Sequence, residues 1–94
     1  MGVRLDRKEE GCHLVLQGVV DVFEARELHA LAQAAMDAGG EVTVRFEEVE
    51  RLDSSAIQIL LALGQTLKAE GRSYRLEGMP AGVQESWRLL GLSS

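Results

Sequence analysis

Between Val22 and Glu70 the hydrophobic residues change their spacing twice, and this restricts the chain to folds in which helices cross between strands. Across Val22–Ala38, Ala25, Leu28, Leu31, Ala32 and Ala35 fall on one helical face, the three-to-four-residue spacing of an amphipathic α-helix. Asp21 is a suitable N-cap for that helix, and Gly39-Gly40 stops it. Glu41-Val42-Thr43-Val44-Arg45-Phe46 then alternates with period two and is β-branched at its centre, the pattern of a strand. An acidic connector, Glu47-Glu48-Val49-Glu50, leads into Arg51-Leu52-Asp53-Ser54-Ser55. Helical spacing returns from there to about Glu70, with Ile57, Leu60, Leu61, Gly64, Leu67 and Lys68 on the inward stripe.

The flanking segments complete the pattern. Val3-Arg4-Leu5 and Cys12 to Gln17 read as two short strands turning at Glu10-Gly11, the second stopping at Gly18. Ser73 to Glu77 reads as a fourth strand, and Gly78-Met79-Pro80 turns into a last helix from about Ala81 to Leu90, with Pro80 suited to the first turn. The order β-β-α-β-α-β-α implies an α/β fold: a single small domain over residues 1–94, with a mixed sheet of about four strands flanked by crossover helices.

Composition narrows the function classes. A chain of 94 residues has room for one modest core, and its 46% hydrophobic content fits that core. The net charge of −5 argues against a nucleic-acid partner and against docking on anionic lipid, both of which draw on Lys and Arg. A lone cysteine, Cys12, makes no internal disulfide and no Cys-based zinc site, as suits a reducing compartment. The strongly charged stretch Arg4 to Glu10 is unlike a signal peptide, and the low-charge stretch Ser54 to Leu67 is too short to span a bilayer. A cytoplasmic location without membrane insertion is the expectation.

No phosphate loop, dinucleotide fingerprint or nucleophile elbow is present. His13 and His29 lack metal-ligand spacing, Cys12 reads as a small buried hydrophobe, and Trp87 stands near Val83 and Leu90 at packing distance along a helix. The expectation is therefore a non-enzyme with no cofactor and no metal. The densest polar cluster is Asp53-Ser54-Ser55, where a loop becomes a helix. Capping alone accounts for these residue types, and Ser55 with Gln58 matches a capping box. The same helix start also suits a phosphate, because its free N–H groups and dipole favour an anion. A phosphoserine there would add about −1.5 to −2 charges beside Asp53 and the acidic connector, changing what can dock without refolding the domain. Ile59 on the outward side of the helix, with Ala56, Ala62 and Leu63, reads either as isolated surface residues or as a small apolar docking patch.

Taken in order, these residues resemble the STAS family of bacterial anti-sigma-factor antagonists and their relatives. The resemblance rests on Leu16-Gln17-Gly18-Val19-Val20-Asp21, on Asp53-Ser54-Ser55-Ala56-Ile57 before an apolar helix, on Gly71, on Tyr74-Arg75-Leu76 and on Leu90-Gly91-Leu92, and it covers nearly the whole chain. It implies a small mixed sheet flanked by helices. It also implies a partner switch in which Ser54 is the phosphoacceptor, Asp53 orients the loop, Ser55 is a cap or secondary site and Asp21 lies on the partner-facing side. The implied partners are a serine kinase that is also the anti-sigma factor, and a PP2C-type phosphatase that resets the phosphorylated form. Partner binding then falls to Asp21, Asp53, Ser54, Ser55, Ala56, Ile59 and Leu63. Ala56 replaces a common glycine, and Val19-Val20 replaces an acidic-then-apolar pair. The same fold also implies an alternative, the small subunit of a lipid-transport ABC complex that binds its ATPase, or a scaffold in chemotaxis-like signalling.

Overall fold

Strands β2 (Gly11–Val20) and β3 (Glu41–Leu52) run parallel through the middle of a four-stranded sheet, and everything else is arranged around that pair. Strand β1 (Gly2–Arg7) pairs antiparallel with β2, and β4 (Tyr74–Glu77) pairs parallel with β3, so the sheet order follows the chain order. Helices α1 (Val22–Ala38), α2 (Ser54–Ala69) and α3 (Ala81–Ser93) complete the order β-β-α-β-α-β-α that the hydrophobic spacing indicates. This computed structural model describes residues 2–93, with side chains through Leu90.

Alternation along the central strands builds the two faces. Cys12, Leu14, Leu16, Val42, Val44 and Phe46 point to the helix side and are buried there with Leu28, Ala32 and Ala35 of α1 and Leu60, Leu63 and Leu67 of α2. Alanines at three of the four buried positions of α1 keep that helix thin where it meets the sheet and α2. Helix α3 adds Val83 to the same core and rests Trp87 against it, a packing role for the tryptophan. Each fully buried leucine contributes roughly 1.5–3 kcal/mol of transfer free energy.

The opposite face of the sheet carries charge. The register sets Arg4, Val15 and Arg45 side by side, and the arginines reach Asp6, Glu47 and Glu77 at 3.3–4.0 Å. Val15 is nevertheless 1% exposed, consistent with the apolar stems of its long neighbours lying over it. Such exposed pairs add little stability, but they keep this face polar.

Three expectations change. The connector Glu47-Glu48-Val49-Glu50 is not a loop but the second half of β3, because Val49 is buried and the chain re-pairs at Val19–Arg51 and Val20–Leu52. Between Gln17 and Val19 strand β3 uses more residues than β2, leaving Glu48 and Glu50 without partners. Glu48 absorbs this bulge at φ 52°, opposite Gly18 at φ 66°. Strand β2 likewise runs through Gly18 to Val20. On α2, the buried set is Ala56, Ile57, Leu60, Leu63 and Leu67, while Lys68 is exposed and Leu61 and Gly64 are half-buried. The inward face is turned toward α1, which covers the flank holding Leu63.

Candidate functional site at the paired helix starts

Because β2 and β3 are adjacent and parallel, α1 and α2 leave the sheet side by side at the same end. Asp21 caps α1, its Oδ1 accepting from the amides of Phe23 and Glu24 at 3.0 Å. Val20 and Ala25, at the two positions of a hydrophobic staple around that cap, are both buried. Asp53 caps α2 and is tied to the end of β2, its amide donating to the Val20 carbonyl at 2.8 Å. The two capping aspartates are thus held beside one another by strand pairing, not by loop chance.

The two serines have different fates. The Ser55 amide donates to Asp53 Oδ2 at 2.9 Å, and the Ser55 hydroxyl donates to the same oxygen at 2.5 Å. The hydroxyl bond, then the amide bond, hold the Asp53 carboxyl below its usual pKa; Arg51 adds to this, and partial burial opposes it. Ser54 is exposed, and its hydroxyl has no hydrogen-bond partner among the described residues. The capping box expected between Ser55 and Gln58 does not form, since the cap is Asp53, two residues earlier, and Gln58 is exposed. A shallow cleft of about 250 Å³ brings Val19, Asp21, Arg51, Asp53 and Ser54 together.

The expected apolar patch on α2 is corrected. Ala56 is 0% exposed and Leu63 3% exposed, so neither offers a surface to a partner, and Ile59 is partly buried against the core. Ala56 lies on the side of the helix start that packs inward, and Leu63 faces the flank covered by α1. Ile59 and Ala62 border an open groove of about 500 Å³ between α1 and α2, away from the serines along the helix, and Leu63 lies at its floor.

The spacing argument missed a different apolar group. Val19, Val22 and Phe23 are 47%, 53% and 77% exposed and flank Asp21 on both sides. The signal was present: Phe23 and Val22 lie off the stripe formed by Ala25, Leu28, Ala32 and Ala35. Among the described residues no group of His, Cys, Asp and Glu is placed to hold a metal ion, and no helix is long and apolar enough to cross a membrane.

A family model described as "Mlab, STAS domain" matches residues 3–94. The chain belongs to the STAS family. No curated protein matches it in sequence. Among solved structures, this STAS domain is similar to the Bacillus cell fate determinant SpoIIAA in its phosphorylated form, with TM-score 0.76 and 20% identity over 97% of this chain and 85% of that one. The unphosphorylated SpoIIAA, described as an anti-sigma factor antagonist, gives TM-score 0.79 and 19% identity over 92% of this chain and 81% of that one. Mglu gives TM-score 0.71 and 20% identity over 85% of this chain but 20% of its own length. At these identities the likeness is one of fold.

Proposed function

We propose that this STAS domain is a protein-binding module of the anti-sigma-factor-antagonist kind, whose docking is switched by phosphorylation at Ser54. The observation that carries the reading is the division of labour at the start of α2: Ser55 and Asp53 satisfy each other, while the Ser54 hydroxyl stands exposed and unbonded. A serine kinase that doubles as the anti-sigma factor transfers the γ-phosphoryl group of its ATP to Ser54 Oγ, releasing ADP while the hydroxyl proton passes to a kinase base. A PP2C-type phosphatase returns the serine with water, releasing inorganic phosphate. The domain itself is substrate and ligand, not enzyme, and the switch operates in the cytoplasm. Asp21 and Asp53 border the contact, and Ile59 marks its far edge on α2. The fold likeness to SpoIIAA in both phosphorylation states supports this reading.

The test is affinity purification from the native cell with wild-type chain, Ser54→Ala and Ser54→Asp. A kinase-like ATPase retained by Ser54→Ala and lost with Ser54→Asp supports the switch, as does phosphate on wild type that is absent from Ser54→Ala. Equal retention of a partner by all three refutes it. A second reading has one observation in its favour: the matching family model is described by Mlab, not by an antagonist. In that reading the chain is the small subunit of a lipid-transport ABC complex, and an ABC ATPase with its permease co-purifies whatever stands at position 54.

A further inference from the structure

Arg51 is a charge that the fold has placed and not used. Its backbone is paired with Val19 near the end of β3, and three positions later Ser54 opens α2. The short link between them is fixed, since Leu52 pairs with Val20 and the Asp53 amide donates to the Val20 carbonyl at 2.8 Å. Arg51 is the basic side chain lining the cleft of about 250 Å³ that also holds Ser54, Asp21 and Asp53. It lines a second cleft as well, of about 330 Å³, with Glu50 and with Pro80, Gly82 and Val83 at the start of α3. In neither does it form an ion pair among the described residues. Arg7, Arg26 and Arg75 are unpaired too, but none of them lines the cleft of Ser54. The positive charge of Arg51 already reaches that cleft. The Asp53 carboxyl, held below its ordinary pKa first by its bonds to Ser55, is lowered further by Arg51.

We propose that Arg51 is the residue of this chain that takes hold of the phosphate once Ser54 is modified, closing over it from the β3 side of the cleft. The proposal rests on the reading of Ser54 as phosphoacceptor and adds how the domain arranges the modified side chain. A phosphate on Ser54 shares its cleft with Asp21 and Asp53, two carboxylates that repel it, and the guanidinium is the lining group that offsets them. Planar guanidinium geometry suits two parallel N–H bonds to phosphate oxygens. Moving into this position breaks no ion pair, so the cost is the rotamer freedom of one exposed side chain. Arg51 then withdraws from the cleft beside α3, and the modification changes two side chains at this end of the sheet.

The test uses the full chain with phosphoserine inserted at position 54 through an expanded genetic code, so that no kinase is needed. Phosphorus NMR follows the second ionisation of the phosphate, ordinarily near pH 6, as the pH is varied. The chains compared carry Arg51, Arg51→Gln, Arg51→Lys or Arg75→Gln, the last altering an arginine in a cleft beside Gly11 and Glu41 at the opposite end of the sheet. The midpoint with Arg51 in place should lie about half a pH unit or more below that of Arg51→Gln, with Arg51→Lys between them. Arg75→Gln should leave it unmoved, and added salt should narrow the gap. The Arg51 Nε–H signal should shift on phosphorylation and exchange more slowly with water. Melting temperatures of the unphosphorylated variants should agree, because Arg51 makes no ion pair that the fold depends on. Equal midpoints for Arg51 and Arg51→Gln, or an Arg51 Nε–H signal indifferent to the phosphate, overturn the proposal. A wild-type chain that carries no phosphate in its native cell removes the Ser54 switch instead, whereas the midpoints judge Arg51 whatever kinase the cell contains.

Discussion

Replacing Gly64 with alanine is a test in which two familiar effects oppose each other and the structure decides the sign. In the interior of a helix, glycine is about 1 kcal/mol worse than alanine, so Gly64→Ala should stabilise α2 on propensity alone. A Cβ at this position would lie 2.7 and 2.9 Å from Cε2 and Cδ2 of the Tyr74 ring. The ring cannot swing aside freely, because Tyr74 is paired with Val42 in the sheet and its hydroxyl donates to the Leu60 carbonyl at 2.8 Å. Overpacking of this kind costs about 1–3 kcal/mol, and losing the hydroxyl bond costs about 1 kcal/mol more. The net is a destabilisation of about 1–3 kcal/mol, or a fall of roughly 5–20 °C in melting temperature for a domain of this size. Gly82→Ala in α3 is the matched control: nothing lies within 4 Å of its added Cβ, and stability should rise by up to about 1 kcal/mol. Thermal and urea unfolding of both variants, and of Gly64→Ala in a Tyr74→Val background, complete the cycle. With the ring removed, Gly64→Ala should become stabilising. A rise in melting temperature for Gly64→Ala alone, or the same change in both backgrounds, would refute the steric argument.

The guanidinium of Arg72 donates to the carbonyls of Gly40, Met36 and Ala35 at 3.0–3.3 Å, closing the carboxyl end of α1 from the far side of the fold. Arg72→Met should cost about 2 kcal/mol in urea unfolding and Arg72→Lys a part of that, while an unchanged midpoint would discount the staple. Asp53 has a folded-state pKa lowered by Ser55, so its stabilisation is present at neutral pH and is lost as the pH falls below the ordinary value of about 3.9 through the folded one. Asp53→Asn should lower stability at pH 7 and shrink the drop between neutral and acid pH; an acid limb identical to wild type would contradict this. Burial raises the pKa of Tyr74, the single tyrosine of the chain. Its phenolate absorbance should therefore not appear near the ordinary value of about 10 while the protein stays folded, and stability should fall as the pH climbs above that value. A normal titration in folded protein would show that the ring is accessible.

What the sequence made legible, and what it did not, follows from how far each signal reaches. Element type and order depend on spacing within a segment, and Val22–Ala38 and Glu41–Phe46 carry that signal in full. The second half of β3 was not legible because β3 itself bulges at Glu48 and Glu50 while Val49 pairs with Gly18, a relation between segments about thirty residues apart. The same reason turned the inward face of α2. Which of Leu61 and Leu63 is covered depends on where α1 lies, and both fit a helical stripe. At the candidate site, Asp53-Ser54-Ser55 stood out by residue type alone, but the choice of Asp53 as cap over Ser55 needed the geometry. Phe23 was passed over because a helix is read by its inward stripe, and this exposed side chain lies off it.

The pairing of Ser55 with Asp53 explains how such a site can be modified without loss of the fold. Were both serines needed to cap α2, adding a phosphate to either would remove a cap worth about 1 kcal/mol and loosen the helix start. Here the cap is complete through Asp53 and Ser55, and the Ala56 and Ile57 amides are satisfied by the Asp53 carbonyl at 3.0 and 3.2 Å. Ser54 is the position in that turn whose side chain the fold does not use. A dianion there meets the positive end of the α2 dipole, and across the same cleft it meets Asp21 and Asp53. The dipole favours the dianion and the two carboxylates oppose it, so the effects offset one another within the domain. The free-energy change therefore falls on whatever docks at this end of the sheet rather than on the stability of the domain.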